Sequence, residues 1–319
     1  MARNQRKVGE GASPVVRELP LACSDESAAY EFMERQQWGD TPACPRCGDT
    51  NVYQMRDAAT GERNRRFLWR CRGCKRQFTV RIGTVFEESR IPLRHWCFAF
   101  WRACSSKKGV SALQISRETG LSYKSALFMM HRIRYAMADD YSEPAKLSGT
   151  VEVDETYVGG KPRNKGTHNK RGAGTKKTPV VALVQRDGDV RTWPIEKVTV
   201  NNLQSAIREH VDSGSRIMTD ESFAYVGIGE HFDGGHHTVK HTAKEYARGD
   251  VFTNTAESFF ARVKRAMYGT FHSVSKRHLH RYLTYMEFLH NTRKLDDGER
   301  TVLAIKKAGG KRVRYREPA

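Results

Sequence analysis

Val151-Glu-Val-Asp-Glu-Thr-Tyr-Val158, stopped at once by Gly159-Gly160, is the stretch on which the fold of this chain turns. Apolar and polar residues alternate through it, the period-2 signature of a strand with one buried face. Thr178 to Gln185 and Val190 to Ile195 read as two further strands, with Asp187-Gly188 as a hairpin turn between them. A helical pattern over Asn201 to Val211 follows, then short strands at Arg216 to Thr219 and Thr238 to His241. The stripe Phe259, Phe260, Val263, Met267 makes Thr255 to Tyr268 a helix that Gly269 ends, and Lys276 to Asn291 forms one more. Three antiparallel strands, a helix, then alternating strands and helices predict an α/β fold with a mixed sheet flanked by helices.

Upstream, the Pro-containing stretch Ser142 to Ser148 marks a boundary near 145, before which the periodicity is helical. Val110, Leu113, Ile115 and Leu121 lead to Ala126, Leu127, Met130, Ile133 and Met137, with Gly120 breaking the run. That spacing fits a helix-turn-helix whose second helix is capped by Ser122 and presents Tyr123 and Lys124 to a major groove, with Arg132 farther along. A plain helical hairpin joining two domains would carry the same apolar spacing.

Farther forward, Cys44-Pro-Arg-Cys47-Gly48 and Cys71-Arg-Gly-Cys74 are two knuckles 23 residues apart, which suit one structural Zn²⁺ held by four thiolates. Gly48 and Gly73 are expected to make the tight turns. A redox use would need only one such pair. Eight Lys or Arg lie between Gly61 and Arg81 against the single acid Glu62, so Arg65, Arg66, Arg70, Arg72, Lys75 and Arg76 are candidate phosphate contacts, although a solvated basic face would look alike.

The whole chain of 319 residues carries 55 Lys and Arg against 36 Asp and Glu, a net charge of +19 that favours a polyanion, with nucleic acid the leading partner. Its mean hydropathy is -0.68, and no run of 18 apolar residues occurs, so no membrane partner and a cytoplasmic location are expected. Seven cysteines, an odd number, argue against a disulfide framework, and Cys23, Cys97 and Cys104 are expected to be packing residues. The resulting division is a flexible basic lead-in at 1–24, a zinc ribbon with a preceding helix at 25–90, a helix-turn-helix region at 91–145, an α/β domain at 146–295 and a loose charged tail at 296–319. Within the α/β domain, residues 161–177 hold seven Lys or Arg and no acid, which makes Lys161, Arg163 and Lys165 part of a candidate DNA-facing arm.

Asp154 on the first strand, Asp220 just after Ile217-Met218-Thr219, and Glu257 in the first turn of a helix are carboxylates on three separate elements. Phosphodiester cleavage and transesterification suit two divalent ions roughly 3.5–4 Å apart, and Mg²⁺ prefers such hard oxygen ligands. Each acid also has a structural reading. Asp154 with Glu152 and Glu155 reads equally as a solvated strand face, Asp220 as a turn residue, and Asn254-Thr-Ala-Glu257 as a capping box. Lys264, seven residues after Glu257 and so on nearly the same helix face, with Arg265 beside it, adds phosphate-binding capacity.

The order VEVDETYVGGK, TDES, TNTAESFFARVKR, GTFHSVS and RYLTYMEFLHNTR closely resembles the DDE transposases of bacterial insertion sequences. The nearest match is the zinc-ribbon branch known as insertion-sequence family fifteen-ninety-five, or ISXO-two-like, which also carries a CPxCG and CxxC ribbon followed by a stretch like FTVRIGTVFEESRIPLRHW. This resemblance implies a ribonuclease-H-like catalytic domain, Asp154, Asp220 and Glu257 as catalytic residues holding two Mg²⁺ ions (or Mn²⁺), and double-stranded DNA as partner, both terminal inverted repeats and target. A homo-oligomer on DNA and residence at the bacterial nucleoid follow from it as well. In some relatives the Asn position, Asn254 here, serves as the third metal ligand, and a His often found two positions earlier is Phe252 in this chain. A zinc-ribbon regulator without catalysis, and a nuclease that cuts without joining, are the alternatives that the residues themselves leave open.

Overall fold

The computed structural model describes residues 14–139, 145–159, 177–243, 245 and 247–313. These fall into two compact units, Ala138–Arg293 and a discontinuous one made of Met1–Met137 with Lys294–Ala319. Among the described residues, no helix is long and apolar enough to cross a membrane.

The second unit is built on β4 (Thr150–Val158), β5 (Thr178–Gln185), β6 (Val190–Pro194), β7 (Arg216–Asp220) and β8 (His236–Val239), in sheet order β6-β5-β4-β7-β8. The first three strands are antiparallel, whereas β4–β7 and β7–β8 run parallel, so the sheet is mixed. Val151, Val153, Val181, Leu183 and Ile217 point to one face, where they bury against Leu203 and Ile207 of α6 (Val200–His210). By strand periodicity the even-numbered residues of β4, Glu152 and Asp154, point to the other face. That face carries α7 (Asn254–Ala266) and α8 (Leu279–Asn291), the latter tied to β6 by Thr192 N donating to Glu287 Oε2 at 3.1 Å and Val190 N to Asn291 Oδ1 at 2.8 Å.

Register sets the acids. β4 pairs with parallel β7 as far as Glu152 opposite Met218, and Asp154 and Asp220 follow two residues farther along their strands, on the face of Glu152 and Met218 by alternation.

Three local expectations fail here for physical reasons. Glu152 is fully buried rather than solvated, because its carboxylate accepts from Thr255 N at 2.8 Å and Ala256 N at 3.0 Å, the orphan donors of α7. Asn254 does not cap: Thr253 occupies the N-cap position, its side chain making no capping bond, and Asn254 is the first helical residue. Nor does Gly269 end the helix, which continues through a wider π turn, Met267–Phe271.

In the first unit, α1 (Pro14–Ser24) and α2 (Glu26–Trp38) precede a three-stranded antiparallel ribbon of β1 (Val52–Gln54), β2 (Trp69–Cys71) and β3 (Gln77–Phe78). After it come α3 (Leu93–Ser105), α4 (Ala112–Thr119), α5 (Tyr123–Met137) and, from the far end of the chain, α9 (Asp297–Lys306). Gly120 joins α4 to α5 in the left-handed region at φ 73°, and Ser122 Oγ accepts from Ser125 N at 3.2 Å to cap α5. Cys97 and Cys104 are buried in α3, and Cys23 is half-buried.

Both chain ends differ from expectation. Leu19 and Ala22 of α1 are buried, so the lead-in is helical from Pro14 onward. Of the 296–319 stretch, the described residues 296–313 are not loose: Asp296 and Glu299 form a reciprocal capping box at 2.8 and 3.0 Å, and α9 packs on α3 with Ala304, Ile305 and Ala308 fully buried. Thr301, Ala304, Ile305 and Ala308 follow helical spacing, a signal masked by the abundant charges around them. Ile305→Ala should therefore lower the unfolding free energy of this unit by about 2–5 kcal/mol, as read by urea denaturation followed by circular dichroism. A change near zero would mean that α9 frays from the core.

Candidate functional site

Asp154 is half-buried, and one of its carboxylate oxygens accepts from the N–H of Glu155 at 2.8 Å. Asp220 closes β7 and accepts from Ser222 N at 3.0 Å, so it does shape the following turn. Glu257, exposed in the first turn of α7, completes the set, with Asn254 exposed one turn earlier on the same face. Burial pushes the Asp154 carboxyl up to about 7, and repulsion from Glu155, Asp220 and Glu257 adds to that shift. Asp154 therefore lies close enough to Asp220 and to Glu257 to feel the charge of each.

Glu155, which sequence reasoning grouped only with the strand face, adds its charge to Asp154 from the α6 side of the sheet. Its carboxyl is raised by burial and by Asp220, while a hydrogen bond from the Tyr225 hydroxyl partly offsets the rise. Tyr225 is itself buried beneath the turn that follows Asp220, and nothing in the local sequence marks it.

The cysteines form the tighter centre. Among the described residues, Cys44, Cys47, Cys71 and Cys74 are the one group of three or more Cys, His, Asp or Glu whose ligand atoms all lie within 4.8 Å of one another. Cys44 Sγ to Cys74 Sγ and Cys47 Sγ to Cys71 Sγ are each 3.7 Å, close to the roughly 3.8 Å edge of a thiolate tetrahedron with zinc–sulfur bonds near 2.3 Å. The four side chains are positioned to bind zinc.

Proton affinity is uneven among them. A hydrogen bond from the Arg76 N–H draws Cys74 down to about 7, whereas Cys71, despite the Cys74 N–H, is held at about 12 by burial and neighbouring thiols.

The knuckle turns depart from expectation in one respect. The left-handed residue after each second cysteine is Gly48 (φ 75°) in one knuckle and Lys75 (φ 59°) in the other. Gly73 is needed for a different reason, since a Cβ there would meet Asp49 Oδ2 at 2.3 Å. Beneath the cysteines, Trp38, Val52 and Trp69 pack around Phe78, and Glu34 of α2 accepts from Trp69 Nε1 at 2.9 Å and from Arg63.

A model of the ISXO2-like transposase domain matches residues 146–291, and a model of the transposase zinc-ribbon domain matches residues 24–77; together the two cover more than half of the chain. The chain belongs to this transposase family. It is 29% identical over 270 residues to the uncharacterized protein in transposable element ISH50 of Halobacterium salinarum, a match spanning 81% of this chain and 88% of that protein. It is 27% identical over 175 residues to the male abnormal protein mab-31 of Caenorhabditis elegans, where the match spans 49% of this chain and 40% of that protein.

A transposase must meet DNA, and the cations singled out by sequence divide into two groups. Arg65, Arg66, Arg72, Lys75 and Arg76 are exposed on the ribbon, and Arg70 is half-buried on β2. Tyr123 and Lys124 are exposed at the start of α5, as are Lys264 and Arg265 on α7. Lys161, Arg163 and Lys165 lie outside the described residues.

Arg132 is a correction. It is 8% exposed, its Nη1 donates to Val85 O and Glu87 O at 2.7 Å each, and its guanidinium stands 4.3 Å from the Phe128 ring centre. Burial and these bonds turn the guanidinium inward, away from any phosphate. Arg63 and Arg81 of the ribbon's basic count are likewise used internally, on Glu34 and on Tyr30, Ser89 and Ile91.

Metal analysis of the purified protein should return one zinc per chain, and Cys71→Ser should lose it. Because Trp38 and Trp69 pack on the cluster, chelator treatment should also red-shift tryptophan emission; zinc loss without any emission change would detach the metal from this packing.

Proposed function

We propose that this protein is a DNA transposase that cuts at transposon ends and joins the freed ends to target DNA, with Asp154, Asp220 and Glu257 gathering two Mg²⁺ ions. The observation that carries the reading is that Asp154 and Asp220 each lie two residues past Glu152 and Met218, the last paired residues of neighbouring parallel strands, on the sheet face to which α7, gripped by Glu152, brings Glu257. On this reading the mixed sheet is ribonuclease-H-like, and α4 and α5 act as a helix-turn-helix that, with the ribbon, recognises terminal inverted repeats.

The donor set fits the ions. All three groups are hard carboxylate oxygens, and a dication would offset the burial and the added repulsion that lift Asp154 to about 7. Because two ions would share them, the acids need not converge on one point as the four thiolates do.

Such ions supply charge stabilisation for the attacking and leaving oxygens of an in-line displacement. Asp154, Asp220 and Glu257 would hold the ions, with Asn254 as the competing third ligand. Hydrolysis breaks the phosphodiester at a transposon end and leaves a 3′-OH, which then attacks a target phosphodiester and displaces its 3′ oxygen. Lys264 on α7 and the exposed ribbon cations would bind the flanking phosphates. Two ends have to be joined, so a dimer or larger assembly on DNA completes the proposal.

With labelled transposon-end duplex, Mg²⁺ and target plasmid, Asp154→Ala should lower strand transfer on the order of a thousand-fold while its circular dichroism matches the parent. Equal joining by both proteins would remove the assignment, and cutting without joining would make the protein a nuclease. Binding separates the two groups of cations. Replacing Arg72, Lys75 and Arg76 by Ala should reduce the salt slope of DNA affinity by about 1 per lost phosphate contact, whereas Arg132→Ala should lower the melting temperature and leave the slope unchanged. A fall in slope for Arg132→Ala would return that residue to the interface.

A further inference from the structure

Glu257 owes its position to a residue more than a hundred positions upstream. The N-terminus of α7 has no side-chain cap of its own. Instead Glu152 Oε2 accepts from Thr255 N at 2.8 Å and from Ala256 N at 3.0 Å, and Oε1 accepts from the Thr255 hydroxyl at 3.0 Å. Ala256 immediately precedes Glu257, and Glu152 lies two residues before Asp154 on the same face of β4. One carboxylate with no solvent exposure thus grips both the strand that carries Asp154 and the helical turn that carries Glu257.

A second residue fixes the first. Arg186, just past β5, donates from Nε to Glu152 Oε1 at 2.7 Å, from Nη1 to Asp250 O at 2.7 Å and from Nη2 to Phe252 O at 2.9 Å. Its guanidinium stands 3.6 Å from the centre of the Phe252 ring, and its own N–H donates to Thr150 O at 3.0 Å. The planar fork therefore ties the strand start, the Asp250–Phe252 segment leading into α7, and the capping carboxylate into one piece. No side chain at the helix start could set this relation, since a local cap orients only its own turn.

We propose that Glu152 and Arg186 are positioning residues that set the separation of Asp154 and Glu257, and through it the affinity of the acidic cluster for divalent ions. This rests on the reading that those acids hold the ions. It extends that reading to two residues that touch neither ion nor substrate, and it gives Phe252 the role of a flat support for the guanidinium. Groups that orient metal ligands typically contribute 10–100-fold to metal affinity or activity.

The test uses the full-length protein and Mn²⁺ as probe, with free Mn²⁺ counted by its electron paramagnetic resonance signal in the absence of DNA. Glu152→Gln keeps the size of the side chain, and Arg186→Ala removes the fork; the control is Arg216→Ala, which breaks an exposed pair with Asp250 (2.6 Å) on the same segment. Glu152→Gln and Arg186→Ala should each weaken Mn²⁺ binding by about 10-fold or more and lower kcat for end cleavage, with KM for DNA unchanged. The double variant should lose no more than the worse single, because the two act through one network. Arg216→Ala should bind Mn²⁺ like the parent.

If both variants melt earlier yet keep parental Mn²⁺ affinity and kcat, the pair is only a structural staple and the inference is overturned. An equal loss in Arg216→Ala would overturn it too, since damage to the segment would then suffice. A different result sinks the underlying reading instead: Mn²⁺ binding by the parent that survives both Asp154→Ala and Glu257→Ala.

Discussion

A buried carboxylate beneath the first turn of a helix is the constraint on which the carboxylate-bearing unit depends. A helix start leaves N–H donors unpaired and carries partial positive charge, so an anion placed there is stabilised. Glu152 meets that demand for α7 from the middle of the sheet. Its burial without solvent is tolerable only because Arg186 and three donors of α7 surround it. The same solution occurs in the other unit, where Pro92 leaves α3 without a side-chain cap and Glu26 of α2 accepts from Leu93 N at 2.7 Å and Arg94 N at 3.0 Å. In both places a carboxylate from a distant element replaces a local cap, and it fixes the relation between two elements while it does so.

This pattern explains what could and could not be read from the residues alone. The alternation in VEVDETYV declares a strand, the CxxC spacing declares a thiolate cluster, and the order of the acids places them on separate elements. Periodicity and spacing are local properties, so these were legible. Long-range caps are not, because Asn254 to Glu257 looks like a capping box while the true partner of the turn is Glu152. For the same reason charge counting overstated the ribbon's free cations. Arg63, Arg81 and Arg132 read as surface charge, yet each is turned inward on carbonyls, a carboxylate or a hydroxyl that only the fold brings near. The even spacing of Glu152 and Asp154 did carry a usable signal: on a strand those two positions share one face.

The zinc-binding cluster and the acidic cluster differ in a way that follows from their ligands. Soft thiolates at tetrahedral separation converge on a single point and can be closed off, and the packing of Trp38, Trp69 and Phe78 around them makes that centre part of a core. The acids do not crowd onto one point in this way, and they keep an exposed member, Glu257, as the proposed approach of a polyanion requires.

The discontinuity of the first unit bears on how the chain is made. Its ribbon and helices α1 to α5 leave the ribosome first, but the slot on α3 filled by Ala304 and Ile305 stays open until α9 has been synthesised. Domains tend to mature in the order of translation, and here that order is reversed for one half of the molecule, since the inserted unit is finished before the unit that encloses it in sequence. A message interrupted just upstream of α9 yields a first unit whose α3 face lacks the cover of Ala304 and Ile305, an exposed apolar surface of the kind that invites aggregation.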